Sequence, residues 1–295
     1  MTAMQVLQPP VALGQLSETA QSVAQALEAR IKNGDLEVPM LPEVAGKVVS
    51  LTNDPDSDAA QLANLVQGDQ SLASQVMRIA NSAAYCPGAT LVSLQQASAR
   101  LGMGLIGDIA LAASINTKMF HAPGYEEHIA AVWGKALLTA LWGKEIARTC
   151  RRNVEATFLC GLLHSIGRPV LLQTVIEICD EQSVTLPREE ILALEDLYYK
   201  QVGASVVATW EMPAIVSAAI EYFDDYENAG DARDQTAMVN ASVQLASHQM
   251  DETSLPQEEL LVLGVFGDLN LYRDDVEELL AKQENILIAK QSMTA

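Results

Sequence analysis

The feature that most constrains the fold of this chain is the spacing of its apolar residues, which is helical in almost every periodic segment. A spacing of four residues, which places side chains on one face of an α-helix, separates Ile129, Trp133, Leu137 and Leu141. No run alternates apolar and polar residues between turn signals, as a half-buried strand would. The sequence therefore predicts an all-α protein. Further helices are predicted over residues 17–32, 59–66, 72–80, 105–119, 190–210 and 276–288.

Turn-forming segments divide this helical pattern into parts. Residues 53–58 read Asn-Asp-Pro-Asp-Ser-Asp and predict a turn followed by a helix N-cap, and Pro, Gly, Asn and Asp cluster again near residues 87, 123 and 230. The 295 residues, 49% of them hydrophobic, are enough for about two domains with a sizeable core. We expect an N-terminal helical lead over 1–35, a first helical lobe over 36–122, a second lobe over 123–230 and a C-terminal helical segment over 231–295.

The charge balance excludes several classes of partner. The chain carries 38 acidic residues against 18 Lys and Arg residues, which gives a formal net charge of −20. Binding to nucleic acid or to an anionic membrane surface needs clustered Lys and Arg, so neither is expected here. The longest stretch without charge, residues 79–99, contains Asn, Gln, Pro and Gly. These residues are costly in hydrocarbon, so we predict no membrane span there.

The start of the chain and the cysteines indicate a cytoplasmic protein. The first ten residues, MTAMQVLQPP, lack the basic segment and apolar core of a secretory signal. Widely spaced cysteines without a C-x-x-C pair suit buried thiols in a reducing compartment better than disulfides or a zinc site. These cysteines are Cys86, Cys150, Cys160 and Cys179.

One glycine motif suggests a cofactor site, but its context argues against it. Residues 102–107 match G-x-G-x-x-G, which binds dinucleotides where a strand precedes the turn and a helix follows it. The preceding residues have helical spacing, so we interpret the motif as a tight junction between two helices. No P-loop, H-E-x-x-H or G-x-S-x-G motif is found either. The sequence predicts no cofactor.

A histidine in an apolar segment belongs to the first motif that resembles a known protein family. A lone histidine of this kind is more often a hydrogen-bonded core residue than a metal ligand. However, the G-L-L-H-D-I-G-K element of HD-type metal-dependent phosphohydrolases resembles one segment of the chain, Gly161-Leu162-Leu163-His164-Ser165-Ile166-Gly167-Arg168.

Motifs on both sides of this segment narrow the resemblance. The HDOD domain, the HD-related output domain of bacterial signalling proteins, is similar to a series of segments over residues 36–226: Met40-Leu41-Pro42-Glu43-Val44, Asn53-Asp54-Pro55, residues 72–78, Ala80-Asn81-Ser82-Ala83, Ala99-Arg100-Leu101-Gly102, Val202-Gly203-Ala204 and Trp210-Glu211-Met212-Pro213. The resemblance implies an all-helical regulatory or protein-interaction module. It would make 36–122 the HDOD N-terminal lobe and 123–230 a degenerate HD-like helical bundle.

The residues at the family's metal-ligand positions argue against catalysis. Catalytic HD enzymes hold divalent cations with His and Asp side chains, and the cations activate water. Here the His-Asp pair reads His164-Ser165, and the other family histidines fall on Lys135, Tyr199 and Phe223-Asp224. One imidazole facing a lysine does not make a competent metal site. We therefore expect no metal, no cofactor and no enzymatic activity.

The resulting hypothesis is a non-catalytic signal-transduction module that binds other signalling proteins, such as components of two-component or cyclic-dinucleotide pathways. Its acidic surface favours a partner of basic or mixed charge. Lys135 with Arg168 would hold a small anion in the vestigial cleft, or the cleft residues would form only an internal polar network. The alternative is a phosphodiesterase or phosphohydrolase whose metal site is rebuilt from Asp180, Asp196, Asp224 and Asp225. The candidate cleft residues are His164, Ser165, Arg168, Lys135, Tyr199 and Asp224.

Overall fold

A computed structural model describes residues 12–54, 56–86, 90–115 and 119–294, without the side chain of Asn53. These ranges contain α-helices, short 3₁₀ turns and no β-strand, so the prediction of an all-α protein is confirmed. The first eleven residues, which include the secretory-signal prediction, and the predicted break near residue 87 lie outside the described residues. The helices are α1 (Glu18–Asn33), α2 (Glu43–Asn53), α3 (Ala59–Gln67), α4 (Gln70–Ala80), α5 (Leu94–Leu101), α6 (Met103–Ser114), α7 (Glu126–Thr149), α8 (Val154–Leu163), α9 (Gly167–Gln182), α10 (Arg188–Thr209), α11 (Ala214–Tyr222), α12 (Arg233–Met250), α13 (Gln257–Leu260), α14 (Gly264–Asp268), α15 (Arg273–Leu280) and α16 (Gln283–Thr294).

Side-chain caps fix the beginnings of several helices. Ser17 Oγ accepts a hydrogen bond from the Ala20 N–H at the start of α1. At the start of α3 the Asp58 carboxylate accepts from the backbone of Ala60 and Gln61, and the Gln61 side chain accepts from the Asp58 N–H. Such a capping box satisfies N–H groups that have no partner inside the helix. The N-cap predicted from the run of Asp residues is therefore confirmed.

The first lobe is organised around α6. This helix packs against α2, α4 and α5 and buries Ile106 and Ile109 completely. Gly102 joins α5 to α6 with a φ of 86°, a left-handed value that favours glycine. The G-x-G-x-x-G motif is thus a junction between two helices, as its context predicts, and α6 ends at Ser114 rather than at 119.

The second lobe is built on α7, α8, α9 and α10. The long helix α7 packs against α8 and α12, while α9 packs against α10. Trp142 on α7 and Phe158 on α8 are fully buried at the centre. Both terminal helices lie against this lobe, because α1 contacts α9 and α10 and α16 contacts α7 and α6. The four segment boundaries given above stay predictions.

The prediction of a single helix over residues 276–288 is wrong. The chain forms α15 and α16 with a turn at Ala281 and Lys282. No Gly or Pro marks this break, and tertiary contacts explain it. Gln249 Nε2 donates to the Gln283 carbonyl at 2.8 Å, and Lys282 Nζ donates to Glu145 Oε2 at 2.7 Å. These contacts anchor the turn to α12 and α7.

The burial of their apolar side chains distinguishes the core helices of this protein from membrane-spanning helices. Within the described residues one stretch, Val154–Gln182, is long and apolar enough to cross a membrane, but 83% of its apolar window is buried inside the protein. It comprises α8, α9 and the turn between them, and its apolar side chains form part of the protein core. Cys86, Cys160 and Cys179 are buried, as predicted for core thiols, whereas Cys150, at the end of α7, is only half-buried. A cytoplasmic location stays a prediction.

Candidate functional site

The candidate site is centred on the turn between α8 and α9, where His164 lies. Helix α8 ends at Leu163 and α9 begins at Gly167. At Gly167 the chain runs very close to α10, since a Cβ atom there would lie 1.9 Å from the Tyr199 carbonyl oxygen and 2.4 Å from the Gly203 nitrogen. Only glycine fits this approach, which places the His164 turn directly against α10.

His164 is a buried, neutral imidazole. Its side chain is 4% exposed, and its Nδ1 lies 2.7 Å from the Gly161 carbonyl. Because a carbonyl only accepts hydrogen bonds, the ring proton is assigned to Nδ1. The Phe223 ring stands edge-on to the imidazole at 5.4 Å. Burial lowers the pKa of His164 to about 4, with contributions from Lys135 and Arg168. The imidazole is therefore uncharged at neutral pH.

Arg168 links the turn to α10. Its guanidinium stacks on the Tyr199 ring at 4.1 Å and donates to Asp196 Oδ1 at 2.9 Å. Burial opposes the charge of Arg168, but Glu195, Tyr199 and Asp196 outweigh that effect and raise the arginine pKa. Burial also raises the pKa of Tyr199 to about 12. The site thus contains a cation stacked on a neutral phenol.

Sequence reasoning missed the acid that supports this cation. Glu195 is 1% exposed, lies 3.3 Å from Arg168 Nη1 and accepts from His128 Nε2 at 2.8 Å. A buried carboxylate needs such partners, since desolvation of an isolated charge is costly. The available signal was its position on the apolar face of α10, beside Leu194 and Tyr198. A lone charge in an apolar stripe indicates a buried ion pair.

Lys135 supplies a second positive charge. It lies on α7, half-buried, and its electrostatic effect reaches both His164 and Arg168. Burial and the nearby Arg168 lower the pKa of Lys135. No carboxylate of the described residues lies within ion-pair distance of its Nζ atom. Lys135 therefore places beside His164 a positive charge that is not paired with any described carboxylate.

The other two predicted residues lie at the margins. Ser165 is buried and borders an apolar cavity of about 10 Å³ that Trp133 and Ile166 also line. Asp224 is half-exposed and forms an ion pair with Lys200, although its charge still raises the pKa of Tyr199. The structure thus brings Lys135, His164, Arg168 and Tyr199 together, with Ser165 and Asp224 beside them.

The residues at the site do not fit a divalent metal ion. Asp196 is bound to Arg168, Asp224 to Lys200, and Asp225 accepts from the Asn228 side chain at 2.9 Å. Asp180 lies exposed near the end of α9. Across the described parts of the chain, no group of three His, Cys, Asp or Glu side chains is arranged to hold a metal. A single neutral imidazole beside an ammonium group lacks the donor set that such ions need.

Solved structures show that this fold is shared. A candidate metal-dependent phosphohydrolase from Shewanella amazonensis SB2B is 23% identical, with a TM-score of 0.71 over 94% of this chain and 100% of that chain. A candidate signal transduction protein from Marinobacter aquaeolei VT8 is 22% identical, with a TM-score of 0.68 over 97% of this chain and 69% of that chain. At these identities the likeness concerns the fold.

Comparisons of sequence give the family. An uncharacterised protein of Treponema pallidum (strain Nichols) is 19% identical over 218 residues, which are 71% of this chain and 42% of that protein. The chain therefore spans less than half the length of this curated relative. The model of the HDOD domain matches residues 38–226, nearly the range that the motifs indicated. This match covers more than half of the sequence, so the chain belongs to the HDOD family.

Proposed function

We propose that this protein is a non-catalytic regulatory module of signal transduction that acts by binding other proteins. The observation that carries the proposal is the state of His164, the one family ligand position that keeps its histidine. Its imidazole is buried, tied to Gly161, covered by Phe223 and close to Lys135. Metal-assisted hydrolysis needs a cation that lowers the pKa of water. The positive charge at this site opposes cation binding.

A metal and activity measurement separates the proposal from the phosphodiesterase or phosphohydrolase alternative. Full-length protein is incubated with Mn²⁺ or Mg²⁺, desalted and measured for bound metal, and then assayed on cyclic nucleotides and cyclic dinucleotides. We expect substoichiometric metal and no turnover above the blank. Stoichiometric metal with turnover that is lost in His164→Ala, but kept in the exposed-site control His121→Ala, would establish the enzyme instead.

The surface charge favours a partner of basic or mixed charge. With a formal charge of −20, the protein attracts cationic surfaces over several ångströms and repels polyanions. Affinity capture from the native host should recover a component of a two-component or cyclic-dinucleotide pathway. The association rate with that protein should fall as ionic strength rises. An association rate that is independent of salt would contradict an electrostatic contribution to encounter.

Lys135 favours an additional role for the cleft, the binding of a small anion. We infer this from its half-buried ammonium group, for which the described residues offer no carboxylate, and from Arg168 nearby. A ligand specific to the folded protein raises the melting temperature saturably. Inorganic phosphate and a nucleotide panel should therefore stabilise the protein. Lys135→Met should abolish the effect, whereas Lys32→Met, at an exposed position on α1, should leave it intact. No stabilisation by any of these anions would favour the internal polar network.

A further inference from the structure

A second cluster of ionisable groups lies where α6 of the first lobe meets α7 and α8 of the second. Asp108 on α6 and Lys144 on α7 are each 5% exposed, and Lys144 Nζ donates to Asp108 Oδ2. The Glu155 carboxylate on α8 lies against the first turn of α6, since a Cβ atom on Gly104 would be 2.4 Å from Glu155 Oε1. These three side chains join the two lobes, and we name them the seam cluster.

The seam cluster has more negative than positive charge. Two carboxylates, Asp108 and Glu155, line one cavity, and the single ammonium group of Lys144 is bound to Asp108. Arg148, one turn further along α7, also acts on Asp108, but it is half-exposed and bound to Glu145. The remaining titratable group that acts here is the Tyr85 hydroxyl from the turn after α4. Helix α2 faces the cluster with Val48, Val49 and Thr52 only.

Little solvent is available to screen this charge. A cavity of about 10 Å³, room for one water molecule, is lined by both carboxylate residues together with Thr52 and Gly107. The Tyr85 hydroxyl is buried and has no hydrogen-bond partner among the described residues. Charge at the seam is therefore stabilised mainly by Lys144.

We propose that the seam cluster is a proton-responsive latch, in which uptake of a proton by Asp108 tightens the contact of α6 with α7 and α8 and its release loosens that contact. A proton on Asp108 removes the excess negative charge of the three side chains while the lobes stay packed. An ionised Asp108 gains more from water, which it reaches only when the seam opens. The latch requires neither a bound metal nor a partner protein, so it is independent of the function proposed above.

The direction of the response follows from the two states of Asp108. In the closed seam burial and Glu155 raise the pKa of Asp108 to about 6, although Lys144 and Arg148 oppose them. In an open, solvated seam the carboxyl returns to its ordinary pKa of about 3.9. The closed form therefore binds the proton more tightly, and its advantage is lost as pH rises through about 6. These two pKa values give an opening equilibrium about tenfold larger at pH 7.5 than at pH 5.

Hydrogen exchange of the full-length protein tests the latch. Amide exchange in α6 and α8 is measured at pH 5 and pH 7.5 and corrected for the intrinsic rate, so that it reports the opening equilibrium. We expect about tenfold more opening at pH 7.5 in the native protein and no such change in Asp108→Asn. The control Asp234→Asn, which removes an exposed ion pair with Arg152, should keep the native response.

Two results would overturn the latch: equal opening of the native seam at both pH values, or a full response retained by Asp108→Asn. If Asp108→Asn does not fold, Glu155→Gln replaces it. Removing one of the two carboxylates lowers the pKa of Asp108, so the midpoint of the response should move to lower pH. An unmoved midpoint would also contradict the proposal.

Discussion

Replacing Gly167 with Ala is expected to destabilise the fold by about 3 kcal/mol or more, a value at the upper end for overpacking. The new methyl group would overlap the backbone of α10 at Tyr199 and Gly203, and backbone atoms cannot move aside as a flexible side chain can. Helices α9 and α10 would have to separate. Urea or guanidinium unfolding measures the effect as a lower midpoint with an unchanged slope.

Alanine substitutions at two other glycines provide comparisons for the loss of stability expected at Gly167. At Gly203 an added Cβ atom would meet the Ile220 methyl group at 3.0 Å, and a side chain can shift slightly, so Gly203→Ala should cost less. At Gly267 on α14 nothing lies within 4 Å, so Gly267→Ala should leave the unfolding midpoint nearly unchanged. A Gly167→Ala protein as stable as Gly267→Ala would show that α9 and α10 are not as close as described.

Replacing Lys144 with Met is expected to cost about 3 kcal/mol at pH 8, in the range observed when one partner of a buried ion pair is removed. The variant leaves the buried Asp108 carboxylate without its cation, with Glu155 nearby and the fully buried Phe158 beside it. The cost should shrink at pH 5, because Asp108 can then take up a proton. Denaturant unfolding at the two pH values provides the measurement.

A double variant distinguishes lost pairing from lost packing. If Lys144→Met acts by isolating the Asp108 charge, the combination with Asp108→Leu should recover most of the lost stability, because well-packed apolar residues can replace a buried ion pair. The interaction energy of the cycle should then be large. Strictly additive costs would mean that the two side chains act separately.

Much of the fold could be predicted because short sequence patterns determine where its helices lie and begin. Helical spacing identified α7 and α10, and caps such as Asp58 placed the start of α3 within a residue. The break between α15 and α16 escaped prediction because the Gln249 side chain that anchors it is distant in sequence. Contacts between helices decide such features, and no local pattern contains them.

The candidate site was predictable in part for the same reason. Ordered family motifs pointed to Lys135, His164 and Tyr199, which lie close to Arg168 in the structure, and their role as a site stays a prediction. Glu195 and His128 were missed because their pairing spans 67 residues and neither belongs to a motif. The seam cluster joins two lobes and was missed likewise, although Asp108 and Lys144 each interrupt an apolar run in the sequence.

Helix α10 carries contacts of two kinds on its surface. On one side Glu190 accepts from Ser17, and Tyr198 donates to Glu28, so α1 is fastened along it. On the neighbouring part of its surface Glu195 and Tyr199 hold Arg168. A helix of 22 residues is a stiff rod of about 33 Å. The amino-terminal helix and Arg168 therefore rest on one common support, and a change that displaces α10 would disturb the contacts of both.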